Sequence, residues 1–557
     1  MSENKNNQTT TVKKEDAASI KEAEKRNKIL LGIGVCAIIV VVALGLQLNK
    51  QQAIAEQSYI GGNMIRMANQ NGDAENDIYV VNPWRNASAV DMVMFRALLQ
   101  TDSAFTEIKP ELVQKYEISE DGLTYILTMS ENQFWSDGEP ITVDDVLFSF
   151  DAFLRCTNVN SSILTSLSRI VGAKEYIAGE ADTIAGISSE GNVITIQLSA
   201  PHSNFALLLT QFVPLPKHIL QDEDYATLTT EHEFYINTNT VCSGMYYPAS
   251  IDENNNLVLE RNPHYTGEIS DIETILVCWD YENLEIDYYP TSNPNEIISN
   301  RSMKGFVEHP VEVYFYRYFI FNMAGGDEGE PNVAMQDQKV RQAIYHAIDT
   351  ELLMEEIYFN KTTAVYGGSI ELSEKLYSYD PEKAKQLLEE AEYDFDRTFT
   401  IAYYSGDSNT AIMLEKIAEQ LSEIGLTVEL LQATASELYA TPTYDMLLKN
   451  LSALNTEDWY NEYLSTNANL SQLLGRDGIF DDLIFNLTST NDQDKYLGYM
   501  QDLVDLEQEL LFKLPLFLLS DAVFINSNRL SVPSDMVFGN TRYRSDIRMD
   551  EWYILKA

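Results

Sequence analysis

The chain has 557 residues, 45% of them apolar and 11% aromatic, a globular composition that exceeds one core and suits about three to four domains. Its 38 basic and 85 acidic residues give a formal charge of −47. That balance excludes nucleic acid as a partner, because binding phosphates needs clustered Lys and Arg.

The first 28 residues, rich in Asn, Thr, Lys and Glu, read as a disordered tail. Ile29 to Leu48 follows as 20 residues without a charge, long enough at ~1.5 Å per residue to cross a ~30 Å hydrocarbon core. Lys21, Lys25, Arg26 and Lys28 precede it and only Lys50 follows closely, so the N-terminus is expected inside and the body outside. Residues 1–28 carry a charge of +2 and residues 49–557 carry −49. The reading is an uncleaved, single-pass signal anchor. Cleavage after Ala53-Ile54-Ala55 competes with it, and so does lipidation of Cys36, although Val35 stands where a small residue is needed. Residues 49–57 form a polar spacer.

From Tyr59 onward short strands alternate with helices, the α/β pattern. Thr124 to Met129 reads as a strand, and Ser136-Asp137-Gly138-Glu139-Pro140 as a turn. Thr142 and Asp145 stand in capping-box spacing ahead of a helix carrying Val146, Phe150 and Phe153 on one face. Val193 to Leu198 and Leu257 to Asn262 alternate as strands, each stopped by a Pro. The run Tyr314 to Phe321 reads as a buried strand whose Tyr318 is placed to line a cleft. Asp380-Pro381 opens a helix. Phe399 to Tyr404 is a strand, Ser405 to Asn409 a turn, Ala411 to Ile424 a helix closed by Gly425, and Leu426 to Leu430 a further strand. Strand, helix, strand with short joints predicts a right-handed βαβ crossover and a parallel sheet.

Four cysteines do not make a disulfide scaffold. With Cys36 in the membrane segment, Cys156, Cys242 and Cys278 remain; one bridge is open to them and none is required, with Cys242–Cys278 the preferred pair. The six His show no ligand spacing, and Asp252, Asn254 and Asn256 lack the Gly and Glu of a calcium loop, so they form a turn. No nucleophile motif or phosphate loop appears. A hydrolase with an acidic dyad has no support beyond the abundance of acids.

The order of several blocks carries more information than any one of them. Met94 to Asp102, Ile118 to Tyr125 and Phe134 to Pro140 come first. Pro214 to Lys217, Ser243 to Tyr246 and Leu259 to Tyr265 follow, then Phe321 to Met323, Asp337 to Ala343, Ala347 to Asp349 and Tyr379 to Lys385. In this order the chain resembles the extracytoplasmic solute receptors of ABC importers, family 5, the oligopeptide- and dipeptide-binding type.

The resemblance implies an α/β, two-lobed fold of the periplasmic-binding-protein kind (type II, the large cluster with an extra domain), preceded by one transmembrane helix. It implies a first lobe from 58–90, 213–310 and 522–557, an extra domain at 91–212, and a second lobe at 311–521. The protein would be a monomer that captures an oligopeptide between its lobes and hands it to ABC permease subunits. It would catalyse nothing and need no cofactor or metal. Its relatives bind the peptide amino end with an acid after a Gly-Trp pair, beyond a Tyr-Asp strand end. Here Tyr444-Asp445 is present, Leu454 aligns with the acid, and Glu457, Asp458 and Trp459 follow closely. The candidate ligand-binding residues are Trp84, Ser88, Ser243, Gly244, Tyr318, Leu454, Glu457, Asp458 and Trp459. An oligosaccharide, a nickel chelate or a signal peptide that is sensed rather than imported remain alternatives.

Overall fold

Polar caps set the helix starts. The Asp145 carboxylate accepts the Thr142 N–H at 2.7 Å ahead of helix Val143–Arg155, and Asp380 accepts the Lys383 N–H at 2.9 Å ahead of Pro381–Glu390. The computed structural model describes residues 63–555 apart from 69–71, 74–77, 85–87, 157–158, 229–231, 280–285, 324–331, 405, 468–469, 475–477, 491 and 540–541. The tail, the membrane segment Ile29 to Leu48 and the spacer lie outside the described residues. Among the described residues no helix is long and apolar enough to cross a membrane.

One strand–helix–strand unit forms as expected: Thr398–Tyr403 pairs in parallel with Thr427–Gln432. The helix between them starts at Ser408 rather than Ala411, because Asp407 caps it through the Thr410 N–H at 2.9 Å. Gly425, at φ +99°, ends that unit's helix with a conformation that side chains resist.

The sheet as a whole is mixed, which corrects the expectation of a parallel one. Its path runs Tyr246–Ile251, Leu257–Arg261, Thr274–Cys278, Met64–Ala68, Tyr288–Thr291, Lys513–Asn526, Phe306–Phe321, Met446–Ala453, Thr398–Tyr403 and Thr427–Gln432, with Thr363–Ala364 pairing beside Lys513–Asn526. Phe306–Phe321 is antiparallel to both of its neighbours, Lys513–Asn526 and Met446–Ala453. The expected strands Thr124–Met129 and Val193–Gln197 pair in a separate four-stranded sheet, flanked by Val113–Ile118 and Ile187–Glu190.

The two long strands pass through separate apolar cores. Their pairing runs from Phe306–Asn526 to Val311–Asp521, breaks, and resumes at Phe315–Leu519. Before the break Val311, Val523 and Ile525 join a core with Met67, Trp84, Phe153, Tyr288 and Trp552. Beyond it, Phe319, Leu514 and Phe517 pack with Ile344 and Ile417, while Tyr316 and Tyr318 pack with Trp459 and Leu503. The core that holds Trp84 also takes in Leu127, Phe150 and Ile196, so the segment between 91 and 212 shares it.

Cys156, Cys242 and Cys278 stand as buried thiols, which corrects the expected Cys242–Cys278 bridge. Each sulfur already has a backbone acceptor: Cys156 on Leu228 at 3.0 Å, Cys242 on Thr240 at 3.7 Å, and Cys278 on Leu276 at 3.6 Å. Burial pushes the Cys242 thiol well above its ordinary range. Native protein should therefore leave these three unmodified by iodoacetamide, and unfolding without reductant should expose all three. Peptide mapping checks this, and a Cys242–Cys278 linked peptide would refute it.

Candidate functional site

The nine sequence-selected residues fall into three groups. Trp84, Ser88, Ser243 and Gly244 surround the short helix Ala89–Met94. Ser88 caps it in a capping box with Asp91. Trp84 donates its indole N–H to Val213 O at 2.8 Å. The Ser243 hydroxyl accepts from Arg96 N–H at 2.9 Å, and Gly244 N–H donates to Met94 O at 2.8 Å. A cavity of about 330 Å³ opens beside Gly244, lined in part by Arg96, Glu111, Tyr265 and Arg544. Its facing charges are mixed, so it could receive a polar ligand.

Tyr318 and Trp459 form the second group, ring centroids 4.6 Å apart, and both are fully buried. They enclose an ionic network. Lys513 lies 2.9 Å from Glu462 and donates to Trp459 O at 2.9 Å, with its ammonium 4.1 Å from the Trp459 ring and 4.2 Å from the Tyr463 ring. Lys449 and the Tyr318 hydroxyl also bind Glu462. Burial pushes the Glu462 carboxyl up, but Lys449 and Lys513 outweigh it and hold the group at about 2. Glu507 accepts from the Trp459 indole, from Tyr463 OH at 2.7 Å and from Gly368 N–H at 3.0 Å.

Leu454, Glu457 and Asp458 form the third group, at the turn from strand Met446–Ala453 into helix Thr456–Asn461. Asn455 caps that helix through the Asp458 N–H at 3.3 Å, and Asp458 in turn accepts the Leu454 N–H at 2.8 Å. Glu457 is 2% exposed and accepts the Ser203 hydroxyl at 3.0 Å. Leu454 packs with Leu207 and Tyr543. Around them Ser203 N–H donates to Thr488 O at 3.0 Å, Arg169 donates to Thr488 Oγ1 at 2.6 Å and Tyr543 OH donates to Ser452 O at 2.8 Å. Residues from the Trp84 core's side of the chain thus meet residues from the Trp459 core's side.

Sequence reading does not find Arg169, Ser203, Leu207, Thr488 or Tyr543, because their partners lie far away along the chain. Lys513 did leave a signal: it is the one charge in the apolar run Leu510 to Leu519, and a charge there needs a buried partner. Among the described residues no cluster of His, Cys, Asp or Glu could hold a metal.

Comparison with known proteins bears on the fold and the family. A Brucella abortus protein, named among ABC-transporter peptide-binding proteins, is 24% identical over 375 residues, 64% of this chain and 64% of that protein. The chain therefore spans a little under two thirds of the length of such curated relatives. Two solved structures share the fold, both with TM-score 0.68. AppA of Bacillus subtilis in complex with a nonapeptide is 18% identical, covering 89% of this chain and 99% of that one. NikZ of Campylobacter jejuni in complex with Ni(L-His) is 20% identical, covering 89% and 100%. These likenesses identify the architecture as the α/β, two-lobed fold of periplasmic binding proteins. The middle-region model of the bacterial extracellular solute-binding proteins, family 5, matches residues 107–477. Three apolar cores along one pair of long strands, with the Ser203–Glu457 hydrogen bond joining distant parts of the chain, are this chain's form of that architecture, and the chain belongs to family 5 of the bacterial extracellular solute-binding proteins.

Proposed function

We propose that this protein is an extracytoplasmic receptor that captures an oligopeptide between two lobes and delivers it to the permease of an ABC importer. The observation that carries the reading is the pair of long strands whose ladder breaks between Val311 and Phe315, with one apolar core before the break and two beyond it. A break there lets the lobes turn about a short hinge while the cores stay intact. On this reading the first lobe comprises 58–90, 213–310 and 522–557, the extra domain 91–212 and the second lobe 311–521. The receptor works as a monomer, catalyses no reaction and is held at the outer face of the membrane by Ile29 to Leu48.

A second reading keeps the fold and changes the solute to an oligosaccharide or a metal chelate. What favours it is the prior engagement of both carboxylates offered to a peptide amino end, Glu457 by Ser203 and Asp458 by the Leu454 N–H. A thermal-shift screen of the membrane-extracted chain separates the two. A ligand bound only by the closed form, at a hundredfold excess over its Kd, adds about 2.7 kcal/mol of stability. Free peptides should give that shift and N-acetylated ones should not. A shift with nickel–histidine or an oligosaccharide and none with peptides would replace the peptide reading.

A further inference from the structure

Glu457 is a buried carboxyl at the meeting of two parts of the chain, and among the described residues it has no ion-pair partner within 4 Å. Its own helix Thr456–Asn461 offers Asp458, a like charge. Helix Gln493–Leu510 offers Tyr496, whose side chain hydrogen-bonds Glu457. The opposite side brings Ser203 at 3.0 Å and Asn204, both neutral, together with His202 and Arg169. His202 is 7% exposed, and burial followed by the field of Arg169 pushes it down to about 3, so it carries no charge. Arg169 is the one cation among these groups. Its guanidinium is directed to Thr488 Oγ1 at 2.6 Å and Pro201 O at 3.3 Å.

Separating the two sides would give Glu457 water and an ordinary carboxylate environment. Bringing them together removes the water and supplies hydrogen bonds without a matching cation. We propose that closure of the receptor takes up one proton at Glu457, so that the two lobes clamp more firmly in mildly acidic surroundings than at neutral or alkaline pH. The step is a simple protonation: a solvent proton adds to the Glu457 carboxylate, and no other bond forms or breaks. It rests on the receptor reading for its use, since a clamp that follows pH would retain its solute on the acid side and release it on the other.

The sign follows from burial, the largest influence on Glu457, which pushes its carboxyl up to about 7 where the two sides meet, the arrangement we take as closed. A group whose proton is held more tightly in the closed form favours closure below that value. The advantage is complete below the ordinary carboxylate range, is lost as pH rises toward about 7, and stays flat beyond it.

The test needs no ligand, so a failure to bind peptides would not touch it. In full-length protein carrying Cys36→Ser, nitroxide labels at Ile118→Cys and Leu497→Cys, both on exposed positions, report the lobe separation by pulsed dipolar spectroscopy. The ratio of the short-distance to the long-distance population should fall roughly fiftyfold between pH 5 and pH 8. Glu457→Gln, which keeps the shape and the hydrogen-bonding carbonyl, should hold its population constant across that range. Ser203→Ala removes a donor that favours the ionised form and should move the midpoint to higher pH. A pH-independent distance in the unmodified chain, a wild-type response in Glu457→Gln, or an unmoved midpoint in Ser203→Ala would each overturn the proposal.

Discussion

Lys513→Met should lower the stability of the protein by about 3–5 kcal/mol, the cost of leaving a buried charge without its partner. The Lys513 side chain is fully buried, and it faces Glu462 at 2.9 Å and the rings of Trp459 and Tyr463. Its loss leaves Glu462 and Glu507, both buried, against Lys449 alone. Pairing the change with Glu462→Gln should recover part of the loss, because the second substitution removes the stranded charge. The network also fixes the acid limb of stability. Glu462 is held at about 2 in the folded protein, below its ordinary value, so its contribution is complete above the ordinary carboxylate range and disappears as pH falls through about 2. In Lys513→Met that limb should begin at higher pH. Urea titrations followed by circular dichroism at pH 7, 5 and 3 measure both effects. A loss under about 1 kcal/mol at pH 7 would mean that the network contributes little beyond its packing.

The second large effect is expected at Gly244. A Cβ there would sit 2.4 Å from Val93 O and 2.6 Å from Met94 C, and these are backbone atoms that cannot rotate aside. The same residue donates its N–H to Met94 O at 2.8 Å and accepts from Asn262 Nδ2 at 2.9 Å. Gly244→Ala must push helix Ala89–Met94 away and lose these bonds, so about 3 kcal/mol of stability should go with it. Ser243→Ala should cost less, about 1–3 kcal/mol, by orphaning the Arg96 N–H. Thermal unfolding of both variants, with ligand affinity measured in parallel, separates a structural role from a ligand contact. A Gly244→Ala protein with unchanged melting temperature and weakened ligand binding would make the turn part of the binding surface rather than a brace.

Local chemistry made much of this fold legible. Thr142 with Asp145, Asp380 with Pro381, and Gly425 mark helix ends through interactions spanning three or four residues, which a sequence displays directly. The unit Thr398–Tyr403 to Thr427–Gln432 was legible for the same reason, since its joints are short. The mixed sheet was not. Phe306–Phe321 shows no clean alternation and contains Pro310, and its partner Lys513–Asn526 lies about two hundred residues away. Among the site residues, Leu454, Glu457 and Asp458 stand together because they are neighbours in the chain. Their partners Leu207, Ser203 and Tyr543 have no motif to announce them, and only the folded chain brings them near.

The threading of the long strands also sets an order of assembly. The core that contains Trp459 draws on a continuous stretch from Tyr316 to Leu518, whereas the core that contains Trp84 needs Val523, Ile525 and Trp552 from the end of the chain. As the polypeptide emerges from the N-terminus onward, the half that is made first lacks its closing strand until residues 523 to 552 appear. Its contacts span nearly five hundred positions, as the Arg529 bond to Met64 O does, and such contacts form slowly. The described members of the Trp459 core all lie within that one stretch. The core that holds Trp84 is therefore completed after the one that holds Trp459.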